Sequence, residues 1–244
     1  MKRAGYNRRL ITGSIFHQIV RAKMNKYFTT VFALAVASMG AATFAQEIVG
    51  DPKAGHAKVD MCIGCHGIVG YQASFPEVHK VPKISGQGAK YIVAALNAYK
   101  KGERKHPTMR GIADSLSDQD MADVAAFYSA NGVVEGAAPP AKSTVEPSAQ
   151  VAALLTKGAC VSCHGDNFSK PIDPSYPKIA GQHADYLFVA LKSYKVENNA
   201  LVGRSNAIMG GVAKQFSAAE LKALAGYVNS LDGELKVVPQ SRFR

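Results

Sequence analysis

The chain has 244 residues, 47% of them hydrophobic, with four cysteines, no tryptophan and a formal net charge of +11. The charge is unevenly placed: residues 1–45 carry seven Lys and Arg and no acid, which leaves 22 bases against 18 acids in the other 199 residues. A near-neutral body excludes a nucleic-acid role on composition, no stretch past residue 45 is apolar enough to span a bilayer, and the length allows one domain or two.

In chain order, the first element is an export signal that starts at Met24. Met24-Asn25-Lys26 opens a short basic region, Tyr27 to about Met39 is apolar, and Thr43-Phe44-Ala45 supplies small residues for cleavage after Ala45. Met1 to Lys23 reads as an upstream extension, so residues 1–45 are expected to be removed and the mature chain to begin at Gln46 in the periplasm. The apolar run is short and broken by Thr, Ser and Gly, which disfavours a permanent anchor, and no cysteine stands at the cleavage site to carry lipid. Any membrane contact of the mature chain is therefore read as peripheral.

Asp51-Pro52 reads as an N-cap followed by a first-turn proline, and the helix leads into Cys62-Ile63-Gly64-Cys65-His66. Cys-x-x-Cys-His attaches c-type haem through two thioethers and sets the histidine against the iron. The same pattern recurs as Cys160-Val161-Ser162-Cys163-His164, so all four cysteines are used. A four-thiolate zinc site wants its pairs about 15–20 residues apart, whereas Cys65 and Cys160 are separated by 95 positions. A thioredoxin-like motif wants strands around it, and disulfides need no histidine after each pair. The expected cofactors are two covalently bound haem c groups, whose attachment outside the cytoplasm agrees with the export signal.

After the first haem motif comes a loop, residues 68–80, then Pro82-Lys83-Ile84-Ser85-Gly86-Gln87. Gly88 to Lys101 places Tyr91, Ala95, Leu96 and Tyr99 on one helical face, with Gly102 as the stop. Met109 follows in a stretch, 105–111, that reads as irregular. Ser117-x-x-Asp120 opens a further helix with Met121, Val124, Ala125 and Tyr128 inward, ended by Asn131-Gly132.

Gly136 to Thr144 is rich in proline and small residues and reads as a linker. Beyond it the pattern repeats. Cys160 matches Cys62 at an offset of 98, and Pro177-Lys178-Ile179-Ala180-Gly181-Gln182 matches Pro82 to Gln87 at 95. Tyr186, Leu191 and Tyr194 keep that offset, and Met209 matches Met109 at 100. Ser217-x-x-Glu220 opens a last helix with Leu221, Leu224, Ala225 and Val228 inward. No segment alternates with a period of two. The expected fold is all-α, in two tandem domains, 46–138 and 147–244, joined by a linker at 139–146, each wrapped around one haem.

Each iron needs a ligand opposite its histidine, and the matched pair Met109 and Met209 supplies one per repeat. Met121 fits the inward stripe of a helix and reads as core; Met61 adjoins Cys62 and is too close to reach the far face. His106 competes with Met109, but its counterpart is Asn206, which cannot ligate. His79 reads as part of a surface loop, and His56 and His183 as solvated. A ligating histidine usually donates its other ring N–H to a carbonyl or carboxylate. The carbonyls of Pro82 and Pro177 are candidates for that bond, although both prolines could equally serve to stiffen a loop.

The tandem haem motifs, the paired Pro-x-Ile-x-Gly-Gln stretches and the late methionines resemble the diheme cytochrome c4 family, over about residues 47–235. The resemblance implies two class I cytochrome c-like domains related by a pseudo-twofold, with electrons passing between the haems. It implies ligation by His66 and Met109 on one iron and His164 and Met209 on the other, with Pro82 and Pro177 behind the histidines. It also implies a periplasmic electron carrier, not an enzyme. Its partners would be a quinol-oxidising complex upstream and a terminal oxidase or reductase downstream. Two other readings stand beside it: the cytochrome subunit of a flavoprotein dehydrogenase complex, and a diheme peroxidase or sulfur-compound dehydrogenase with a labile haem ligand. The departure is the longer loop at 68–80, read as covering a haem edge or contacting a partner. A small basic excess in residues 145–244, eleven bases against eight acids, would favour an acidic partner.

Overall fold

The computed structural model describes residues 48–133, 136 and 141–239. The export signal with its cleavage site after Ala45, and Pro139 and Pro140 of the linker, lie outside the described residues.

The first lobe is built from five helices: α1 (Pro52–His56), α2 (Asp60–His66), α3 (Ala89–Lys100), α4 (Pro107–Asp114) and α5 (Asp118–Ala130). Asp51 caps α1 by accepting from the Lys53 N–H, and Pro52 takes the first turn, where no N–H is needed. At α5, Ser117 and Asp120 close a capping box. The core gathers Val59 and Ile63 from around the haem motif, Ile92 and Leu96 from α3, and Met121, Val124 and Tyr128 from α5. Met121 is wholly buried, as a member of the inward stripe should be. Full burial of a side chain of this size is worth about 1.5–3 kcal/mol, so these few residues carry much of the lobe's stability. Ile92 is buried beside Leu96, while Tyr91, Ala95 and Tyr99 are half-buried.

The second lobe repeats the plan with α6 (Ala149–Lys157), α7 (Cys160–His164), α8 (Ala184–Ser193), α9 (Ala207–Lys214) and α10 (Ala218–Ser230). Ser217 and Glu220 form the matching capping box on α10. Leu154, Phe168, Leu187, Phe216, Leu221, Leu224 and Val228 form its core. The strands among the described residues are two-residue pieces in two antiparallel ladders. One pairs β1 (Gln72–Ala73) with β2 (His79–Lys80), and the other pairs β3 (Arg104–Lys105) with β4 (Gly203–Arg204).

Those short ladders matter because they and their neighbours join the lobes. β3 and β4 come from different lobes and pair Arg104 with Arg204. The 68–80 loop folds into the β1–β2 hairpin and lies against α8: the Lys80 N–H donates to Asp185 at 3.0 Å, and Glu77 pairs with Lys192. His79, expected in a surface loop, is only 5% exposed, with its ring beside Tyr186. The loop, read as covering a haem edge or contacting a partner, docks onto the other lobe instead, and that docking buries the ring.

The strongest joint is the repeated Pro-Lys-Ile-x-Gly-Gln stretch. The Gln182 carboxamide accepts from the Lys83 N–H at 3.0 Å and donates to the Lys83 carbonyl at 2.8 Å. Gln87 treats Lys178 identically, accepting at 2.9 Å and donating at 2.9 Å. Each lysine ammonium crosses as well, Lys83 to the Gly181 carbonyl at 2.6 Å and Lys178 to the Gly86 carbonyl at 3.1 Å. The glycine before each glutamine lies in the left-handed region, at φ +82° for Gly86 and +69° for Gly181. A Cβ on Gly86 would also meet the Glu234 carbonyl at 2.5 Å, so no other residue fits there. The C-terminal segment returns to the first lobe, where the Lys236 N–H donates to the Ser85 carbonyl at 3.0 Å.

Candidate functional site

A cavity of about 690 Å³ runs through both lobes. Its walls carry Cys62, Cys65, His66 and Met109 from the first lobe and Cys160, Cys163, His164 and Met209 from the second. The structure thus brings every candidate haem residue to one cavity. All four thiols are free and half-buried. Burial pushes the Cys62 thiol up to about 11 and raises Cys160 too, so neither is a reactive thiolate at neutral pH.

Each haem-motif histidine ends a short helix, and the chain then turns so that a proline carbonyl meets the ring. His66 Nδ1 lies 2.8 Å from the Pro82 carbonyl, and His164 Nδ1 lies 3.1 Å from that of Pro177. A carbonyl only accepts, so Nδ1 carries the proton and Nε2 keeps its lone pair. Burial lowers the pKa of both rings, more than the carbonyl bonds raise it, which keeps them neutral and able to bind a metal.

Met109 and Met209 do not sit in irregular chain, as the sequence suggested. Each is in the first turn of a helix, α4 and α9 respectively. The reason is an N-cap at the same place in both repeats. His106 Nδ1 accepts from the Met109 N–H at 3.4 Å, and Asn206 Oδ1 accepts from the Met209 N–H at 2.9 Å. His106 and Asn206 are therefore equivalent, and the shared job is capping. Pro107 at the first position of α4 reinforces that start.

The cavity also holds residues that sequence reasoning passed over. Arg104 stacks over Tyr91 and Tyr99, at 5.3 and 5.8 Å to the ring centroids, and donates to the Tyr91 hydroxyl at 3.2 Å. Arg204 stacks over Tyr186 and Tyr194, at 5.7 and 5.4 Å, and donates to the Tyr186 hydroxyl at 3.1 Å. Both line the cavity, and neither pairs with a carboxylate among the described residues. A signal was present: Arg104 and Arg204 share the offset of 100 that relates the two methionines. The 68–80 hairpin contributes Gln72, Ala73, Phe75 and Pro76 to the wall, so the extra length closes one side of the cavity and joins the lobes.

These residues fit two covalent haems. Free thiol pairs and neutral imidazoles line an apolar cavity. The two guanidiniums, short of anions, match the carboxylates that a haem carries. The Tyr128 hydroxyl is buried on the same wall against the Cys62 thiol, a weak hydrogen-bond partner. Among the described residues no His, Cys, Asp and Glu cluster could hold a bare metal ion.

Comparison with known proteins agrees with this geometry. Residues 53–129 and 148–232 each match the cytochrome c domain family. The chain is 34% identical to cytochrome c4 of Stutzerimonas stutzeri over 193 residues, 75% of this chain and 90% of that one. It is 31% identical to cytochrome c4 of Azotobacter vinelandii, over 85% of this chain and all of that one. The crystal structure of reduced recombinant cytochrome c4 from Pseudomonas stutzeri superimposes with a TM-score of 0.55 at 31% identity, covering 75% of this chain and 100% of that chain. The chain is also 31% identical to the thiosulfate dehydrogenase electron acceptor of Stutzerimonas stutzeri strain A1501, over 68% of this chain and 76% of that one.

Proposed function

The chain belongs to the cytochrome c family, in its diheme cytochrome c4 group, and we propose that residues 62–66 and 160–164 are where its two haems are held. It is an electron-transfer protein with two covalent haem c groups and a tandem pair of all-α cytochrome c domains. Cys62 and Cys65 attach one haem and Cys160 and Cys163 the other. His66 and Met109 would ligate the first iron, and His164 and Met209 the second.

When bound, each haem supplies a one-electron ferrous–ferric couple. The chain's own residues set how that couple behaves. The Pro82 and Pro177 carbonyls fix the tautomer and ring plane of the histidines and strengthen their donation. The thioethers of Met109 and Met209 raise the potential relative to a second nitrogen ligand. Arg104 and Arg204 would hold haem carboxylates in the cavity. Met61 and Val161, exposed beside the attachment cysteines, offer an apolar rim for a redox partner.

The observation that carries this reading is the duplication of the whole set, with thiols, imidazole and thioether from each lobe on one cavity. A carrier with both irons fully ligated has no open site for a small molecule. The reduced native protein should therefore bind carbon monoxide slowly or not at all; rapid binding to one haem would make it an enzyme with a labile ligand instead.

The mature chain is placed in the periplasm by its export signature, with cleavage after Ala45. Among the described residues no helix is long and apolar enough to cross a membrane. Its electrons would come from a quinol-oxidising complex and go to a terminal oxidase or reductase. The resemblance to a thiosulfate dehydrogenase electron acceptor favours a second donor, a dehydrogenase of reduced sulfur compounds. Reduction of the purified protein by such a dehydrogenase and its substrate, at rates that saturate with cytochrome concentration, separates the two donors.

A further inference from the structure

The two glutamines that fasten the lobes together touch the same peptide groups that hold the iron-facing histidines. The Pro82 carbonyl and the Lys83 N–H belong to one peptide unit. Its oxygen accepts from His66 Nδ1 at 2.8 Å, and its N–H donates to Gln182 Oε1 at 3.0 Å. In the other lobe the Pro177 carbonyl accepts from His164 Nδ1 at 3.1 Å, and the Lys178 N–H donates to Gln87 Oε1 at 2.9 Å. Peptide resonance links the two ends of each unit. A hydrogen bond given by the N–H pushes electron density onto the oxygen and makes it a stronger acceptor, so bonds in such a chain reinforce one another.

Both glutamines are held for this task. Gln87 and Gln182 are 4% exposed, and each carboxamide nitrogen donates to the carbonyl of the facing lysine. Each Oε1 also accepts from the next N–H in its own chain, that of Gly88 or His183. The side chains therefore have no other orientation that satisfies their neighbours.

We propose that Gln182 tunes the donor strength of His66, and Gln87 that of His164, so that each lobe adjusts the iron held by the other. Both act as positioning residues through a shared peptide, and the inference rests on His66 and His164 being iron ligands. A stronger acceptor behind the imidazole increases its donation and stabilises the ferric state. Removing the glutamine acceptor should therefore raise the potential of the haem in the opposite lobe.

The test is a spectroelectrochemical titration of Gln182→Met and Gln87→Met in the intact two-haem protein, with Met109→His and Met209→His as reference variants that identify each haem. Gln182→Met should raise the potential of the haem at 62–66 and leave that at 160–164 in place; Gln87→Met should do the reverse. The paramagnetic proton signal of the corresponding ring N–H should move in the same crossed sense. A simple loosening of the interface would shift both haems alike in both variants. That pattern, a response confined to the variant's own lobe, or no shift in either haem overturns the proposal. If Gln182→Met yields no two-haem product, Gln182→Glu keeps the acceptor oxygen and predicts the opposite sign, a fall at 62–66 larger than at 160–164; equal falls overturn it. A native protein lacking the weak red Met-to-iron band at two-haem intensity would refute the ligand reading itself. Intact bands without the crossed shift would refute only the relay.

Discussion

Arg104 and Arg204 face each other in the antiparallel pair that ties the two lobes together, each stacked on two tyrosines of its own lobe. Two like charges at an interface repel, so the arrangement attracts anions between or beside them. Haem carboxylates would meet that need, and the same contact would bring positive charge to the haem cavity.

Arg204→Leu should therefore lower the potential of the nearer haem, because a positive charge favours the reduced and more negative iron site. The loss should be on the order of 1–2 kcal/mol at an effective dielectric of about 20. Redox titration at low and high salt checks it: an exposed charge would be screened, whereas this half-buried one should keep most of its effect. Arg204→Lys should recover only part of the shift, since an ammonium lacks the planar fork that stacks on Tyr186 and Tyr194.

If Met109 and Met209 are both iron ligands, each should own half of the weak red charge-transfer band of the oxidised protein. Met209→His should halve that band and lower one potential, and Met109→His should remove the other half. An unchanged band in Met209→His would take Met209 out of the ligand set.

His106 offers a sharper check on the same assignment. Its role as the cap of α4 predicts that His106→Asn, which installs the residue found at the start of α9, keeps both the fold and the Met band. His106→Ala should cost about 1 kcal/mol of stability, the usual loss of an N-cap. Thermal melts and the band intensity together decide it. A lost band in His106→Asn would restore His106 as a ligand.

Much of this was readable from the chain because it was local. The haem motifs, the inward stripes Met121-Val124-Ala125-Tyr128 and Leu221-Leu224-Ala225-Val228, and both capping boxes are built from residues no more than four positions from the next. One error is local, and the others lie where distant segments meet. Histidine is an uncommon N-cap, so 105–111 looked irregular although Pro107 marked a helix start. His79 looked like part of a surface loop because nothing nearby in sequence reveals that β2 docks on α8. The Pro-Lys-Ile-x-Gly-Gln repeats were visible as repeats, but their partner is the other copy, some 95 residues away, and a single sequence does not show that the copies face each other. The half-buried arginines were hidden for the same reason: they make sense only once β3 and β4 are paired.

One acid-sensitive contact belongs to the first lobe alone. The Asp123 carboxylate is buried on α5 and accepts from the Asp51 N–H at 2.8 Å, from Lys58 at 2.6 Å and from Gln119 at 2.8 Å. The Lys58 ammonium, followed by the Asp51 N–H, holds its pKa below the ordinary value of 3.8. A carboxylate with a depressed folded pKa contributes stability that is complete above its unfolded pKa and is lost as pH falls through the folded one. Asp123→Asn removes the charge but not the shape, and should cost about 1.5–3 kcal/mol at neutral pH, the range for hydrogen bonds to a charged group. The gap between native protein and variant should stay constant down to about pH 5 and close as pH drops below the ordinary carboxylate range. The second lobe has Ala223 at the matching offset of 100, so its melting should lack this step. Denaturant titrations followed at each haem's own band, between neutral pH and about pH 3, would show it; a gap that persists unchanged into acid would mean that the Asp123 charge contributes nothing and only its shape matters.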